Sequence, residues 1–390
     1  MSLTLVDCTL REGEQTAGVW FTVEEKLALA SALADAGLTL LDAGMPAVSE
    51  EERRFLSLVT GRTTARIGAS VRALPEEVRL ACDVGCDELF LICPTSERHV
   101  RSRLGLDASG LLSRVEAVVG AARAGGRTAN VVCEDASRTT PEALDRVYEV
   151  ALQAGAERVF LCDTVGIWTP LGAARAVAHA LERVPAHRLG VHCHNDLGMA
   201  TANTLAAVEA GAGVPTATVN GVGERAGNAS LVEVAAAVER LLRFPTGFRL
   251  GAAAALSATV ERLTGFIVAQ HQPLVGWNAF RHESGIHVDG VLKDPETYEA
   301  LAPETLGRGH GFATGKHSGR AGLRAFAQAQ GLPSDDETLR RVLARVKASA
   351  PSGAREGFAR VREALDDYNR VHLGVPEAQL REWFESPPKA

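Results

Sequence analysis

The chain has 390 residues, too many for one ordinary core and enough for one large domain with an appendage, at about one domain per 150 residues. With 46% hydrophobic and 23% charged residues it has a globular composition, and no apolar run approaches the roughly 18–20 residues of a membrane span, which excludes a membrane protein. A net charge of −7 argues against the basic face that a nucleic-acid partner requires, so an anionic substrate must be held by local arginines.

No basic and then apolar leader precedes the first apolar run, so a cytoplasmic protein is expected. From residue 3 to about 242, short apolar runs alternate with amphipathic stretches. The predicted strands are 3–8, 38–43, 65–70, 88–93, 128–133, 158–162, 188–192 and 216–220. Helical patterns follow them, among them 23–36, 141–154, 171–183, 199–210 and 231–242, the last opened by Ser230 and Glu233 at capping-box spacing. Eight such cycles in about 250 residues predict an α/β fold, a (β/α)8 TIM barrel. A doubly wound sheet would want a G-x-G-x-x-G turn after its first strand, and Cys8 to Gln15 is no such turn. The alternation stops after about residue 250, and the expected domains are a catalytic barrel over 1–255 and a mostly helical C-terminal region over 256–390 that contributes to the active site and to dimerisation. That region holds a loop segment at 277–287, a glycine-rich turn at 307–319, and helices from Asp335 and Gly353, with Ser334 and Glu337 as another capping box. Ser386-Pro387-Pro388 reads as a frayed tail.

Polar residues gather where the predicted strands end. Glu12, Glu134-Asp135, Asp163-Thr164, His192 to His194 and Asn220 to Asn228 fall at or just after strand C-termini, where barrel enzymes carry their active sites. Alternate strand side chains face opposite ways, so His192 and His194 share one face and Cys193 takes the other. Two imidazoles aimed at one point suggest a divalent cation, which wants a carboxylate besides, and the run Asp7 to Gln15 offers one. Taken alone, H-x-H reads equally as structural histidines on a strand. Arg11-Glu12 reads either as a ligand beside a charge-neutralising cation or as a surface ion pair in a loop. The seven cysteines are odd in number and lack disulfide-like spacing, so they are read as reduced core thiols, with Cys82 and Cys86 four apart on one helix.

Four longer motifs resemble those of the 2-isopropylmalate/homocitrate synthase family, within the DRE-TIM metallolyase superfamily, and they stand in the family's order. They are Asp7-Cys8-Thr9-Leu10-Arg11-Glu12-Gly13-Glu14-Gln15, His192-Cys193-His194-Asn195-Asp196-Leu197-Gly198, Gly221-Val222-Gly223-Glu224-Arg225-Ala226-Gly227-Asn228 and Phe280-Arg281-His282-Glu283-Ser284-Gly285-Ile286-His287. The likeness spans residues 3 to about 325. It looks nearest to homocitrate synthases of the nitrogen-fixation type, from Glu134-Asp135-Ala136-Ser137-Arg138 and from a chain without the long regulatory domain of many isopropylmalate synthases. The resemblance implies a Claisen condensation of acetyl-CoA with a 2-oxo acid, then thioester hydrolysis, with a divalent metal (Zn, Mn or Mg). It also implies a homodimer in which the C-terminal region reaches the partner's barrel. It puts the metal ligands on Glu12, His192 and His194, with Asn228 as a fourth contact unless that residue caps the following helix. Arg11 falls on the keto oxygen, Thr164 on the substrate carboxylate, and His287 on acid/base catalysis, assisted by Glu134. The turn at Lys316 could hold CoA phosphates or simply start a helix.

Some positions depart from the family. Lysine-pathway homocitrate synthases carry an arginine and a serine before the Glu-Asp pair to hold the distal carboxylate of 2-oxoglutarate, and here Asn130 and Val132 stand there. The histidine expected beyond the third strand is missing from Ser70-Val71-Arg72-Ala73-Leu74. Arg72 and Arg138, then Arg98, His99 and Arg101, are the candidate replacements, since guanidinium forks match carboxylate or phosphonate oxygens. Homocitrate synthase is the expectation, with 2-isopropylmalate, citramalate and phosphonomethylmalate types as alternatives. A hydroxymethylglutaryl-CoA lyase would want a cysteine in the loop 221–230, which has none. A binding barrel without catalysis would show damage among Arg11, Glu12, His192, His194 and His287, and all five are present.

Overall fold

The computed structural model describes residues 3–349, 354–372 and 374–385, and the chain divides into two compact units, residues 1–267 and 268–390. Gly353 and the tail at Ser386-Pro387-Pro388 lie outside the described residues.

The first unit is a closed barrel of eight parallel strands in sequence order. They are β1 (Val6–Asp7), β2 (Leu40–Asp42), β3 (Arg66–Arg72), β4 (Glu88–Pro94), β5 (Thr128–Glu134), β6 (Arg158–Asp163), β7 (Leu189–Cys193) and β8 (Val214–Ala217). Closure comes from β8 pairing with β1, Val6 against Thr216 and Asp7 against Ala217. Around them run α1 (Thr9–Glu12), α2 (Val23–Asp35), α3 (Glu50–Val59), α4 (Pro75–Val84), α5 (Glu97–His99), α6 (Ala108–Ala124), α7 (Pro141–Ala154), α8 (Pro170–Ala180), α9 (Ala200–Glu209), α10 (Leu231–Ala237) and α11 (Ala253–Thr264). Local chemistry sets their ends. Thr22 and Glu25 form a reciprocal capping box on α2, and α7 runs from the Thr140 cap and Pro141 to Gly155, whose φ of 94° ends it.

Several expected boundaries move. Strand 216–220 is instead Val214–Ala217, because Val219–Gly221 turns as a 3-10 segment with Asn220 at φ 58°. Ser230 sits at the start of α10 without making a side-chain cap, and Glu233 instead accepts a bond from Thr201 Oγ1 at 3.1 Å. The predicted helix 231–242 passes into a π-helical turn at Val238–Leu242. Cys82 lies on α4, but Gly85 at φ 98° ends that helix before Cys86. All seven cysteines are free, and all but Cys82 are buried.

The barrel interior is filled by Val6, Leu40, Phe90, Phe160 and Val214, with the two rings edge to face at 5.6 Å. Gly68 and Gly190 make the room: a Cβ at either would lie 2.3 Å from Phe90 or 2.1 Å from Phe160. At the N-terminal ends of the strands, buried Glu88 accepts Arg66 at 2.8 Å, Arg158 at 2.7 Å and Asn130 at 2.9 Å. Asn130 is therefore committed to the end of the barrel that serves stability.

At the opposite end, Lys26 of α2 is 2% exposed and bonds Glu14 at 2.6 Å and both oxygens of Glu52, on α3, at 2.8 and 2.6 Å. Glu14 and Glu52 also accept the backbone N–H groups of Phe21 and Met45, so one ammonium ties the first two strand-to-helix loops together.

The second unit is mostly helical, with α12 (Gly285–Lys293), α13 (Arg320–Ala329), α14 (Asp336–Ala348), α15 (Ala354–His372), α16 (Glu377–Glu385) and a small parallel pair, β9 (Arg281–His282) and β10 (Gly311–Phe312). The expected loop 277–287 thus contains a strand and a helix start. At α14 the cap is Asp335, accepting from Thr338 N at 2.9 Å, rather than Ser334 with Glu337. No helix among the described residues is long and apolar enough to cross a membrane.

Removing the Lys26 ammonium strands two carboxylates, one of them buried. Lys26→Met is expected to cost about 3–5 kcal/mol, read as a lowered urea midpoint, and Lys26→Met/Glu52→Gln should recover part of it. A single variant as stable as the parent protein would contradict this role.

Candidate functional site

The first strand delivers its chemistry through a tight turn. Asp7 accepts Thr9 N at 2.9 Å and Thr9 Oγ1 at 2.7 Å, and Thr9 Oγ1 in turn accepts Val219 N at 2.8 Å, stitching the loop after β1 to the loop after β8. Burial pushes the Asp7 carboxyl up to about 7. The following turn, α1, ends on Glu12, which is 4% exposed.

His192 lies on β7 and His194 one residue beyond it, their rings 5.0 Å apart. His192 Nδ1 is 2.7 Å from Thr216 Oγ1, leaving Nε2 3.7 Å from Glu12 Oε1. One ligand atom from each of Glu12, His192 and His194 lies within 4.8 Å of the others. Asn228 is bridged to His194 across the backbone, and its Nδ2 donates to Val222 O at 3.1 Å. It does not cap α10, which starts at Leu231. Three buried atoms here lack any protein hydrogen-bond partner: Glu12 Oε2, His194 Nδ1 and Asn228 Oδ1. Buried polar atoms are rarely left unpaired, and two imidazoles, a carboxylate and an amide oxygen form a donor set that suits a divalent cation. Burial, then His194 and Arg11, holds His192 well below the usual histidine range, and burial, then Arg225 and Arg11, lowers His194 to about 4. Both rings are therefore neutral near pH 7, the form that ligates metals.

Glu12, His192 and His194 line a cavity of about 290 Å³ at the C-terminal ends of the strands. Arg11 enters it beside Glu12, its Nη1 paired to that carboxylate and its Nε to Asp42 Oδ2 at 2.8 Å, which Ser70 also holds at 2.9 Å. Glu134, at the end of β5, pairs through Oε1 with Arg103 and has no partner for its buried Oε2. Thr164 lines the cavity while its Oγ1 accepts Asp135 N at 2.8 Å. Arg72 lines it too, with Nε bonded to Glu77 at 2.5 Å. The floor is apolar: Phe90, Ile92, Val132 and Phe160.

Other expected residues lie elsewhere. Arg138 is bonded to Asp135 at 2.8 Å and lines a separate cleft with Arg101, which pairs with Glu97 at 2.9 Å. The Asp135 carboxylate three residues away claims Arg138, so it does not reach the barrel mouth. His99 sits 3.8 Å from Glu134, and Arg98 is exposed. His287 and Lys316 belong to the second unit. His287 is exposed on α12 with its ring 4.5 Å from that of Tyr298, and Lys316 is exposed in the turn before α13. Sequence reasoning missed Asp42, Arg103 and Arg225. Asp42 could have been found, since it ends a strand as the chosen residues do, whereas Arg103 carries no positional signal. Arg225 stands in a quoted motif and bonds Asp196 at 2.7 and 2.9 Å and Thr164 O at 2.7 Å.

Residues 2–260 match the HMGL-like family model. The chain belongs to that family. Residues 274–354 match a second model, described as homocitrate synthase post-HMGL domain-like. Relatives agree with the synthase branch that the four motifs resemble. A homocitrate synthase of Methanopyrus kandleri is 40% identical over 92% of this chain and 90% of its own. An (R)-citramalate synthase of Methanocaldococcus jannaschii is 39% identical over 89% and 71%. A 2-isopropylmalate synthase of Sulfolobus acidocaldarius is 38% identical over 90% and 91%. Among solved structures of this HMGL-like fold, the hydroxymethylglutaryl-CoA lyase of Pseudomonas aeruginosa superposes with a TM-score of 0.62 at 22% identity, covering 68% of this chain and 94% of that one.

A histidine buried neutral in the native state has a folded pKa below its unfolded value, so its stabilisation is complete above the unfolded pKa and lost as protons bind the unfolded chain. For His194 the window runs from 6.5 down to about 4. Urea unfolding of chelator-treated protein is expected to weaken by about 3 kcal/mol across that window, and His194→Gln should flatten the slope. Parallel slopes in the two proteins would refute it.

Proposed function

We propose that this chain condenses acetyl-CoA with a 2-oxo acid and releases CoA, and that the 2-oxo acid is 2-oxoglutarate, giving homocitrate. The observation that carries the reaction class is the cluster of Glu12, His192 and His194 beside Arg11 in one cavity, with partnerless buried atoms on Glu12, His194 and the bridged Asn228. Glu12, His192, His194 and Asn228 would hold a divalent cation (Zn, Mn or Mg), which supplies Lewis acidity to a carbonyl. Arg11, fixed by Asp42, neutralises negative charge on the keto oxygen as the new carbon–carbon bond forms. Thr164 orients the substrate carboxylate.

A base must take a proton from the acetyl methyl group, whose carbon then bonds to the keto carbon. Water afterwards cleaves the thioester, and CoA leaves as the thiol. Glu134 supports the proton transfer through its partnerless Oε2. We assign the acid/base role to His287, delivered by a second copy in a homodimer, and contact with CoA phosphates to Lys316, both following the family resemblance. We place the enzyme in the cytoplasm on the same resemblance.

The guanidiniums of Arg72 and Arg103 on the cavity favour a 2-oxo acid with a second anion. A second reading, a citramalate or isopropylmalate type of synthase, is favoured by the floor of Phe90, Ile92, Val132 and Phe160. Thiol release should appear with 2-oxoglutarate, pyruvate, 3-methyl-2-oxobutanoate or 3-phosphonopyruvate when Zn²⁺, Mn²⁺ or Mg²⁺ is supplied, and should vanish with a chelator. His194→Ala should weaken metal affinity by at least about tenfold. Free CoA from none of these acids would falsify the reading.

A further inference from the structure

Four guanidiniums line the cavity, and each is paired with a carboxylate. Arg11 is held by Glu12 and Asp42. Arg72 is held by Glu77, a buried carboxylate that also accepts the Arg72 backbone N–H at 3.0 Å. Arg225 has both oxygens of Asp196 and the Thr164 carbonyl. Arg103 differs. Its guanidinium, like that of Arg72, has one carboxylate partner among the described residues, but that partner, Glu134, belongs to the cavity wall itself, whereas Glu77 does not line the cavity.

The loop that carries Arg103 is built to hold it there. Beyond β4, Thr95 N and Thr95 Oγ1 each bond the Glu134 carbonyl at 2.9 Å, and Ser96 Oγ donates to Asp135, so the loop is pinned to the end of β5. The chain then widens into a π-helical turn, Val100–Leu104, closed by Gly105 at φ 62°. Such turns are energetically poor and recur at functional sites. Beneath lie Phe90, Ile92, Val132 and Phe160, which offer nothing to an anion. Asn130 is spent on Glu88 at the other end of the barrel.

We propose that Arg103 is the residue that reads the far end of the 2-oxo acid, exchanging Glu134 for a carboxylate or phosphonate on the substrate. The assignment rests on the condensation reading above. A 2-oxo acid lying over the apolar floor with an anion at its tip reaches the guanidinium whose single partner is itself a carboxylate of the cavity wall. Its fork then makes a charge-assisted pair with the incoming oxygens. The exchange leaves the Glu134 carboxylate without its cation, so arrival of the correct substrate frees the group that assists proton removal. An apolar 2-oxo acid leaves the Arg103–Glu134 pair closed. Specificity therefore comes from a loop residue acting on a wall carboxylate.

The test compares kcat/KM for the better of two dianions, 2-oxoglutarate and 3-phosphonopyruvate, with that for 2-oxobutanoate, in the parent enzyme, Arg103→Met and Arg103→Lys. The dianion-to-apolar ratio should fall by about 30-fold in Arg103→Met, mainly through KM, with Arg103→Lys intermediate. Calorimetric titration of the same dianion without acetyl-CoA should show the matching loss of affinity, independent of chemistry. A ratio that stays within about threefold, or unaltered binding, overturns the Arg103 assignment while leaving the condensation intact. CoA release from no 2-oxo acid by the parent enzyme brings down the condensation reading and this assignment together.

Discussion

The site depends on the seam where β8 hydrogen-bonds to β1. Glu12 and the two histidines are far apart in the chain, and only closure of the cylinder brings the turn after β1 against the ends of β7 and β8. The seam is reinforced at its mouth. Thr9 accepts the Val219 N–H, Asp7 accepts Thr9, and Thr16 donates to the Gly223 carbonyl at 3.1 Å. An open sheet with the same strands would leave β1 and β8 on opposite edges, with the donors dispersed. The interior packing serves the same end, because Phe90 and Phe160 fill the barrel over Gly68 and Gly190 and so form the floor on which a substrate would lie.

Charge at the mouth is balanced locally. Arg11 and Arg225 lower the proton affinity of both histidines, yet each is itself paired, Arg11 with Asp42 and Glu12, Arg225 with Asp196. Positive charge thus adds to burial in keeping the imidazoles neutral, without being left uncompensated in a buried place. The glycine-rich segment after β8 permits the close approach this needs: a Cβ on Gly223 would lie 2.1 Å from Asn228 Nδ2.

Much of this was legible in the sequence, for definite reasons. Parallel strands buried on both faces read as apolar runs, so all eight were found, and the parity of His192 and His194 together with the strand-end rule led to Glu12. Errors came where local bonding overrides a pattern. Ser230 and Glu233 have capping spacing, but Glu233 bonds Thr201. Arg138 looked free to take a substrate anion, but Asp135 takes it. Asn130 looked like a vacated substrate contact, but it belongs to the Glu88 network at the other end of the barrel. Arg103 was invisible, because a π-helical turn has no hydrophobic period and nothing in sequence says which carboxylate a loop arginine will meet.

The same division explains why relatives of nearly equal identity are named for three different products. The donors for the common chemistry lie on or just beyond strands whose register is dictated by the barrel, and they cannot drift without opening it. On the proposed reading, the groups that would meet the variable end of a 2-oxo acid lie on the barrel floor at Ile92 and Val132 and on the loop after β4, where one side chain or one helical turn can alter the chemistry while the strands stay in place. Overall identity averages over both sets and is dominated by the first. On that reading substrate choice rests on a few loop and floor positions, and the partner that Arg103 keeps would be a better guide to it than the similarity of the whole chain.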